Sequence, residues 1–325
     1  MTDKAAIGDW RSPLARPAAT VAVLFVLYIA ITLVFAIWSP FFFSYSNLSN
    51  IVANMAFIGI MAAVQTPVII SGGLDLSAPA VAGLSGVVLS IAMGAGIDIW
   101  IAAMIALGAG GVVGAVNGTF VTRLGVNPFI ATLGTLSIVE GGSLVLTGGL
   151  TKPLIYPAFN WLGSGRLLGF PVIALFMIAV FVATWWVLSQ MRIGRFVYAA
   201  GGNADAARIA GVPVEKLRFW LYVASSVSGA LAGLLLAARL GATAPTAASA
   251  SLLTVVAAVI LGGTSLLGGR GFILGTLIAV MILGTLNNAL VLLGVSSFWQ
   301  KVTHGCVLLL AVGLDQLRSR AVGRG

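Results

Sequence analysis

The chain has 325 residues, of which 60% are hydrophobic and only 8% are charged. Soluble domains carry roughly a quarter charged residues, so this composition excludes a soluble protein and is typical of one that crosses a membrane several times. The net charge of +9 does not indicate nucleic-acid binding, because the charges flank apolar segments instead of forming one basic surface. The single cysteine, Cys306, excludes an internal disulfide framework and a thiolate metal site.

The N-terminal segment is predicted to be a cytoplasmic tail over residues 1–18, not a cleaved signal peptide. It carries Lys4, Arg11 and Arg16, and the apolar run that follows is about twenty residues long. That length exceeds the apolar core of a signal peptide and matches a bilayer span.

The apolar segments predict an all-α, polytopic membrane protein with ten transmembrane helices, some of them broken or re-entrant. Each crossing needs about 17–25 residues, and a broken helix needs fewer. The predicted limits are 19–38, 51–70, 78–94, 99–121, 127–147, 169–189, 219–238, 252–269, 272–293 and 301–317.

The basic residues orient these spans. With the N-terminus inside, thirteen of the seventeen basic residues face the cytoplasm. Only Lys152, Arg166, Arg239 and Lys301 face outward, which is the asymmetry that the positive-inside rule expects. The prediction therefore places both termini in the cytoplasm, including a tail over 318–325, and encloses a permease domain at 19–317. The connections 148–168 and 239–251 fall on the outer side.

Two glycine-containing runs interrupt the spans. The first, 65–77, contains Pro67 and the pair Gly72-Gly73, and the second, 259–271, contains Gly262-Gly263. Broken helices at membrane depth are tolerated only where protein covers them or where they line a cavity. The similarity of the two runs leaves open an internal repeat or independent use of glycine. Ser77 is expected to cap the helix that follows the first run.

The longest polar interval, 190–218, is predicted to be a cytoplasmic loop that contains one short helix. Gly201 and Gly202 lead into Asn203, whose side chain can cap the first turn. The helix is expected over 206–210, and Gly211 can end it in a left-handed conformation. A short, capped, cationic helix between two spans indicates a docking element.

The sequence shows neither a catalytic constellation nor a metal-binding spacing. It has one histidine, His304, and it lacks the glycine-rich Gly-Lys-Ser or Gly-Lys-Thr loop that holds nucleotide phosphates. We therefore expect no catalytic residue, no bound metal and no cofactor, and any ATP must be bound by another chain.

Polar residues within spans are costly, so each is a candidate for the lining of a solute pathway or for a hydrogen bond between helices. The pathway candidates are Gln65, Asp75, Asn117, Asn127, Asn287 and Asn288. Asn54 and Glu140 are further intramembrane polar residues. Because the set is mostly uncharged, it favours a neutral, hydroxyl-rich solute over an ion.

Several segments together resemble the permease subunits of bacterial ABC sugar importers of the ribose, xylose and galactose type. The resemblance runs from about residue 45 to 316. It is carried by these segments in this order: 72–77 (GGLDLS), 127–134 (NPFIATLG), 146–149 (LTGG), 201–211, 262–269, 286–288 (LNN) and 293–297 (LGVSS).

The resemblance implies a homodimeric permease in the bacterial inner membrane, with a periplasmic sugar-binding protein and cytoplasmic ATP-binding subunits as partners. It also implies that the helix at 203–211 is the coupling helix that contacts the ATPase. By position, Gly201, Gly202, Asn203, Ala206, Ala207, Arg208 and Gly211 would form this contact.

Four positions depart from the family pattern. Leu252 and Thr254 stand where relatives often carry an acidic pair, Glu140 replaces a basic residue and Pro79 replaces a glycine. The remaining alternatives are a permease for branched-chain amino acids or another small solute, a secondary transporter driven by ions or protons, and a non-transporting scaffold. The LNN and GVSS segments favour sugars over amino acids.

Overall fold

The computed structural model describes residues 15–296 and, beyond them, residues 298, 299, 302, 303, 305, 306, 309 and 313. Its helices are α1 Ala15–Trp38, α2 Tyr45–Ile70, α3 Ala78–Gly94, α4 Ile99–Thr122, α5 Pro128–Thr147, α6 Pro157–Ser164, α7 Val172–Gln190, α8 Arg192–Gly202, α9 Ala204–Ile209, α10 Val214–Leu240, α11 Leu252–Leu261 and α12 Ile273–Leu292. A short 3-10 helix, Ser249–Ser251, precedes α11.

The described chain is an all-α membrane protein. Seven of its helices are long and apolar enough to cross a bilayer, and two shorter apolar segments, Ala78–Gly94 and Ser249–Leu261, accompany them. The span predicted at 252–269 is too long, because the helix ends at Leu261 and glycine-rich irregular backbone follows. The span at 301–317 lies largely outside the described residues, so the count of ten and the placement of the termini stay predictions.

The two most deeply buried spans are α2 and α10. α2 packs against α7, α10, α11 and α12, while α10 also packs against α3 and α4. The contact between α4 and α10 depends on small residues one helical turn apart, because Gly110, Gly114 and Gly118 all face α10. A Cβ at Gly114 would lie 2.6 Å from the Tyr222 carbonyl oxygen, so only glycine allows the two backbones to approach this closely.

The two connections predicted on the outer side contact each other. β1 Lys152–Pro153 pairs antiparallel with β4 Ala242–Thr243. A second small pair, β2 Arg166–Leu167 and β3 Phe170–Pro171, follows α6. Because 148–168 and 239–251 meet in this way, they lie on the same side of the helical domain, as the sequence predicts.

Candidate functional site

The polar interval 190–218 contains two helices and the first turn of a third. α8 occupies Arg192–Gly202, so Gly201 and Gly202 end a helix and are not part of the loop that the sequence predicted. Arg218 likewise lies in α10, which begins at Val214 directly after Pro213. What the prediction treated as a loop is therefore a nearly continuous helical segment.

The short capped helix is confirmed as α9, Ala204–Ile209. The Asn203 side chain accepts a hydrogen bond from the Ala206 backbone N–H at 2.9 Å, which satisfies one of the free donors of the first turn. Gly211 has a φ of +83°, and this left-handed conformation lets the chain turn towards α10. Ala207 is buried in a small apolar cluster with Ala200 and Val214, which fastens α9 to α8 and α10.

The surface of α9 is less cationic than its sequence indicates. The Arg208 guanidinium donates to Asp205 and to Glu215, each at 2.6 Å. The hydrogen bond to Glu215, aided by Asp205, raises the pKa of Arg208, so the side chain stays charged and paired. Besides the paired Asp205 and Arg208, the exposed positions of the helix include Asn203, Ala206 and, at its end, the Ile209 side chain, which is 90% exposed.

Both broken runs meet the end of α8 at a cluster of five glycines, Gly72, Gly201, Gly202, Gly268 and Gly269, which we name the glycine junction. The Gly269 N–H donates to the Ile70 carbonyl at 2.8 Å, which links the second run to the end of α2. A Cβ at Gly201 would overlap the Ile70 carbonyl oxygen and would lie 2.6 Å from the Gly269 nitrogen. The junction therefore brings three backbone segments together, and at Gly201 they approach so closely that only glycine fits.

The glycines predicted to break the helices do so. α2 continues past Pro67 to Ile70 and stops before Gly72, whose φ is +83°. In the second run, Gly263 has a φ of +90°, and Gly262 packs so tightly on α12 that a Cβ there would lie 2.5 Å from the Thr276 nitrogen. A Cβ at Gly73 would lie 2.9 Å from the Tyr222 hydroxyl.

Two side chains that the sequence analysis did not single out connect these segments. Arg218 donates from Nε and Nη2 to the Ser71 carbonyl, at 3.0 and 2.6 Å, and from Nη2 to the Ala200 carbonyl at 3.3 Å. Tyr198 on α8 donates its hydroxyl to the Gly271 carbonyl at 3.0 Å. Arg218 thus joins α10, α8 and the first break, while Tyr198 joins α8 to the second break.

Three of the six pathway candidates meet in one buried polar network beside the first break. Asp75 Oδ1 accepts from the Ser77 backbone N–H at 2.9 Å and from the Ser77 hydroxyl at 2.6 Å. The Asn117 amide donates to the Ser77 hydroxyl at 2.8 Å, and Ser225, which also lies beside Asp75, donates to Gln65 Oε1 at 3.3 Å. The prediction that Ser77 caps α3 is wrong, because its hydroxyl is donated to Asp75 instead.

This network is buried but incompletely hydrogen-bonded. Gln65, Asp75 and Asn117 are each at most 2% exposed, so in this conformation protein encloses them and they do not line an open path. Three polar atoms on them, Gln65 Nε2, Asp75 Oδ2 and Asn117 Oδ1, have no hydrogen-bond partner, and neither does the Ser226 hydroxyl nearby in α10. Buried polar atoms without partners are costly and uncommon, so this arrangement has bonding capacity that is unused here.

The other pathway candidates lie elsewhere. Asn127 is an exposed N-cap that accepts from the Phe129 N–H at 2.9 Å. The Asn288 amide donates to Asn47 Oδ1 at 2.8 Å, and Asn54 Oδ1 accepts from Arg239 at 2.7 Å. We name Asn47, Asn54, Arg239, Asn287 and Asn288 the distal cluster, because it lies towards the opposite end of α2 from the glycine junction.

Glu140 also has a partner. Its Oε1 accepts from the Ser249 hydroxyl at 2.7 Å, which joins α5 to the 3-10 helix before α11.

Residues 47–312 match the protein family described as the branched-chain amino acid transport system / permease component. The chain belongs to this permease family. It is 40% identical over 299 residues to the ribose import permease protein of Escherichia coli (strain K12). That alignment covers 91% of this chain and 92% of the relative. It is 42% identical over 298 residues to the ribose import permease protein of Bacillus subtilis (strain 168), covering 91% of both chains.

A third relative is the D-allose transport system permease protein of Escherichia coli (strain K12). It is 34% identical over 299 residues, and the alignment covers 91% of both chains. No solved structure matches the chain. Membership in this family, together with the seven long apolar helices, identifies a multi-pass permease component of the inner membrane.

Proposed function

We propose that this chain is the membrane permease of an ATP-driven importer that passes a monosaccharide, delivered by a periplasmic binding protein, into the cytoplasm. α9 is its contact with a separate ATP-binding subunit. The observation that carries the proposal is the attachment of a short, capped, exposed helix to both helix breaks through the glycine junction. A displacement of α9 is transmitted to α2, α10 and α12 because backbone contacts leave little room for independent movement.

The relatives favour a sugar as the solute. Their names specify ribose or allose, and each alignment extends over about nine tenths of both chains. The described intramembrane polar groups are mostly uncharged, which favours a neutral solute over an ion. Branched-chain amino acids are the second candidate, since the family description names them.

The contact with the ATP-binding subunit centres on Ile209. An isoleucine that is 90% exposed on an otherwise polar side of the protein gains about 1.5–3 kcal/mol when a partner buries it. Arg208, held by Asp205 and Glu215, is too well paired to supply the main attraction. The apolar tip of α9, with the capping Asn203 and the exposed Ala206 beside it, is therefore the surface that docks.

The proposal includes a second copy of the chain packed against α5. Only 17% of the apolar window of α5 is buried within one copy, and its glycines Gly134, Gly141 and Gly142 have no atom within 4 Å of an added Cβ. Open small-residue surfaces are how membrane helices associate. The solute path would run between the copies, and the incompletely bonded network at Asp75 would rearrange as the path opens.

The docking step is tested with Ile209→Asp and a matched control, Ile155→Asp. Ile155 is 87% exposed but lies on the β1–α6 connection, away from α9. The complex with the ATP-binding subunit is isolated by affinity purification, and uptake of radiolabelled ribose, allose and leucine is measured in proteoliposomes with the binding protein. Ile209→Asp should weaken association at least about tenfold, whereas Ile155→Asp should leave it unchanged. Equal association of both variants would contradict the assignment of α9, and uptake of leucine alone would favour the amino-acid alternative.

A further inference from the structure

A lateral cavity of about 310 Å³ lies among α1, α7, α8 and α12. Its walls are mostly apolar and are formed by Val21, Trp185, Leu188, Tyr198, Phe272 and Leu274, among others. The volume lies within the range of ligand pockets, about 300–1,000 Å³. The outward surfaces next to it are apolar, since Trp186 and Leu274 are both more than half exposed. In a membrane protein such surfaces face lipid, so the cavity opens sideways into the bilayer.

The cavity lies at the end of the bilayer where α8 and α9 are found. It is formed by the last turns of α7, the beginning of α12 and the first half of α1. Trp185 is 40% exposed at its edge, and tryptophan at the end of a span is typical of the membrane interface. The occupant of this cavity would therefore have its polar end near α8.

Three exposed arginines lie close in sequence to residues that line the cavity. Arg192 is four residues after Leu188, Arg195 is three residues before Tyr198 on α8, and Arg270 is two residues before Phe272. Side chains three or four apart on a helix lie side by side, so Arg195 borders the mouth of the cavity. The described segments 141–204 and 216–296 contain neither aspartate nor glutamate.

We propose that this cavity binds an anionic phospholipid of the cytoplasmic leaflet, with an acyl chain in the apolar cavity and the phosphate group on Arg192, Arg195 and Arg270. Clustered arginines at the cytoplasmic membrane surface attract anionic lipid headgroups. The cavity wall also includes Tyr198, which is hydrogen-bonded to the Gly271 carbonyl of the second break. A lipid held here packs α8 against α12, so it supports the attachment of the coupling segment. Lipid binding itself does not depend on the proposed transport function.

The test uses the full chain in nanodiscs that contain spin-labelled phosphatidylglycerol or spin-labelled phosphatidylcholine, and electron paramagnetic resonance reports the motionally restricted fraction. The wild-type chain should prefer phosphatidylglycerol by about fivefold or more. The double variant Arg192→Gln/Arg195→Gln should lose most of this preference. Arg123→Gln, which removes an exposed arginine at the end of α4, should retain it.

A second pair of variants separates the cavity from the surface charge. Ser189 lines the cavity, and its hydroxyl donates only to the Trp185 carbonyl within its own helix. Ser189→Trp fills the cavity and should reduce binding of both labelled lipids there, whereas Ser189→Ala should not. If Ser189→Trp fails to fold, the lipid preference of the arginine variants alone tests the proposal.

Three results would overturn the proposal: no preference for phosphatidylglycerol, a preference that survives in Arg192→Gln/Arg195→Gln, or an equal loss in Arg123→Gln. Glycerol 3-phosphate added in solution should not displace the labelled lipid. Displacement at equal concentration would show a site for a free phosphate compound, which also contradicts a lipid site.

Discussion

The two ends of α2 are held to their neighbours in different ways. At the Ile70 end, the glycine junction brings backbone against backbone, and Arg218 and Tyr198 bind carbonyl groups around it. At the Asn47 end, about 35 Å away along the helix, polar side chains bridge between helices, as in Asn47 with Asn288 and Asn54 with Arg239. Backbone contacts transmit displacement, whereas side-chain amides can exchange partners. The difference indicates a stiff joint on the side of α9 and an exchangeable one at the distal cluster.

The largest effect is expected at the glycine junction. Gly201→Ala places a Cβ onto the Ile70 carbonyl oxygen, and overpacking of this kind costs about 1–3 kcal/mol. The variant should have a lower thermal unfolding midpoint. In proteoliposomes it should hydrolyse ATP with less solute uptake per ATP than the wild type. Gly202→Ala is the matched control, because an added Cβ there meets nothing within 4 Å. If both variants behave like the wild type, the junction does not transmit force.

A slightly smaller effect is expected from Arg218. Arg218→Met removes the charge-assisted hydrogen bonds to the Ser71 and Ala200 carbonyls, which corresponds to about 2 kcal/mol. Arg218→Lys keeps the charge but not the paired donors, so its stability should fall between those of the wild type and Arg218→Met. Thermal unfolding and the ratio of uptake to ATP hydrolysis should decline together across the series. A drop in stability with an unchanged ratio would make Arg218 a structural residue only.

The smallest effect on stability is expected at the distal cluster. Asn288→Leu removes one neutral hydrogen bond to Asn47, worth about 1 kcal/mol. It should reduce solute uptake while leaving association with the ATP-binding subunit intact. A double-mutant cycle with Asn47→Leu measures the coupling between the two amides. If Asn288→Leu lowered the free energy of unfolding as much as Arg218→Met does, the distinction between a stiff and an exchangeable end of α2 would not hold.

Local signals in the sequence were sufficient for much of the architecture. The limits of α3 follow directly from its apolar run, and α9 follows from the cap at Asn203 and the left-handed Gly211, because capping joins residues only three to five positions apart. α8 was missed, although its buried positions Gly194, Val197 and Ala200 recur at helical spacing within the polar interval. That periodicity was the signal that could have found it.

Contacts between distant segments could not be predicted in the same way. Arg218 and Ser71 are 147 positions apart, and nothing in either local pattern specifies the other. The sequence identified the two glycine runs as similar but not that they meet at Gly201. The prediction that Ser77 caps α3 was wrong for the same reason. Its hydroxyl donates to Asp75 and accepts from Asn117, so it takes part in a buried network instead of capping its own helix.

The central claim is that α9 and the helix breaks move as one unit. It is tested most directly by distances between spin labels in a Cys306→Ser background, measured by pulsed electron resonance on the reconstituted importer with and without ATP. Labels at Ala210, which is exposed at the end of α9, and at Leu267, which is 71% exposed in the second break, should keep their distance. Labels at Ala210 and at Ile155 beyond the distal end should change theirs. A change between Ala210 and Leu267 with a constant distance from Ala210 to Ile155 would contradict the account.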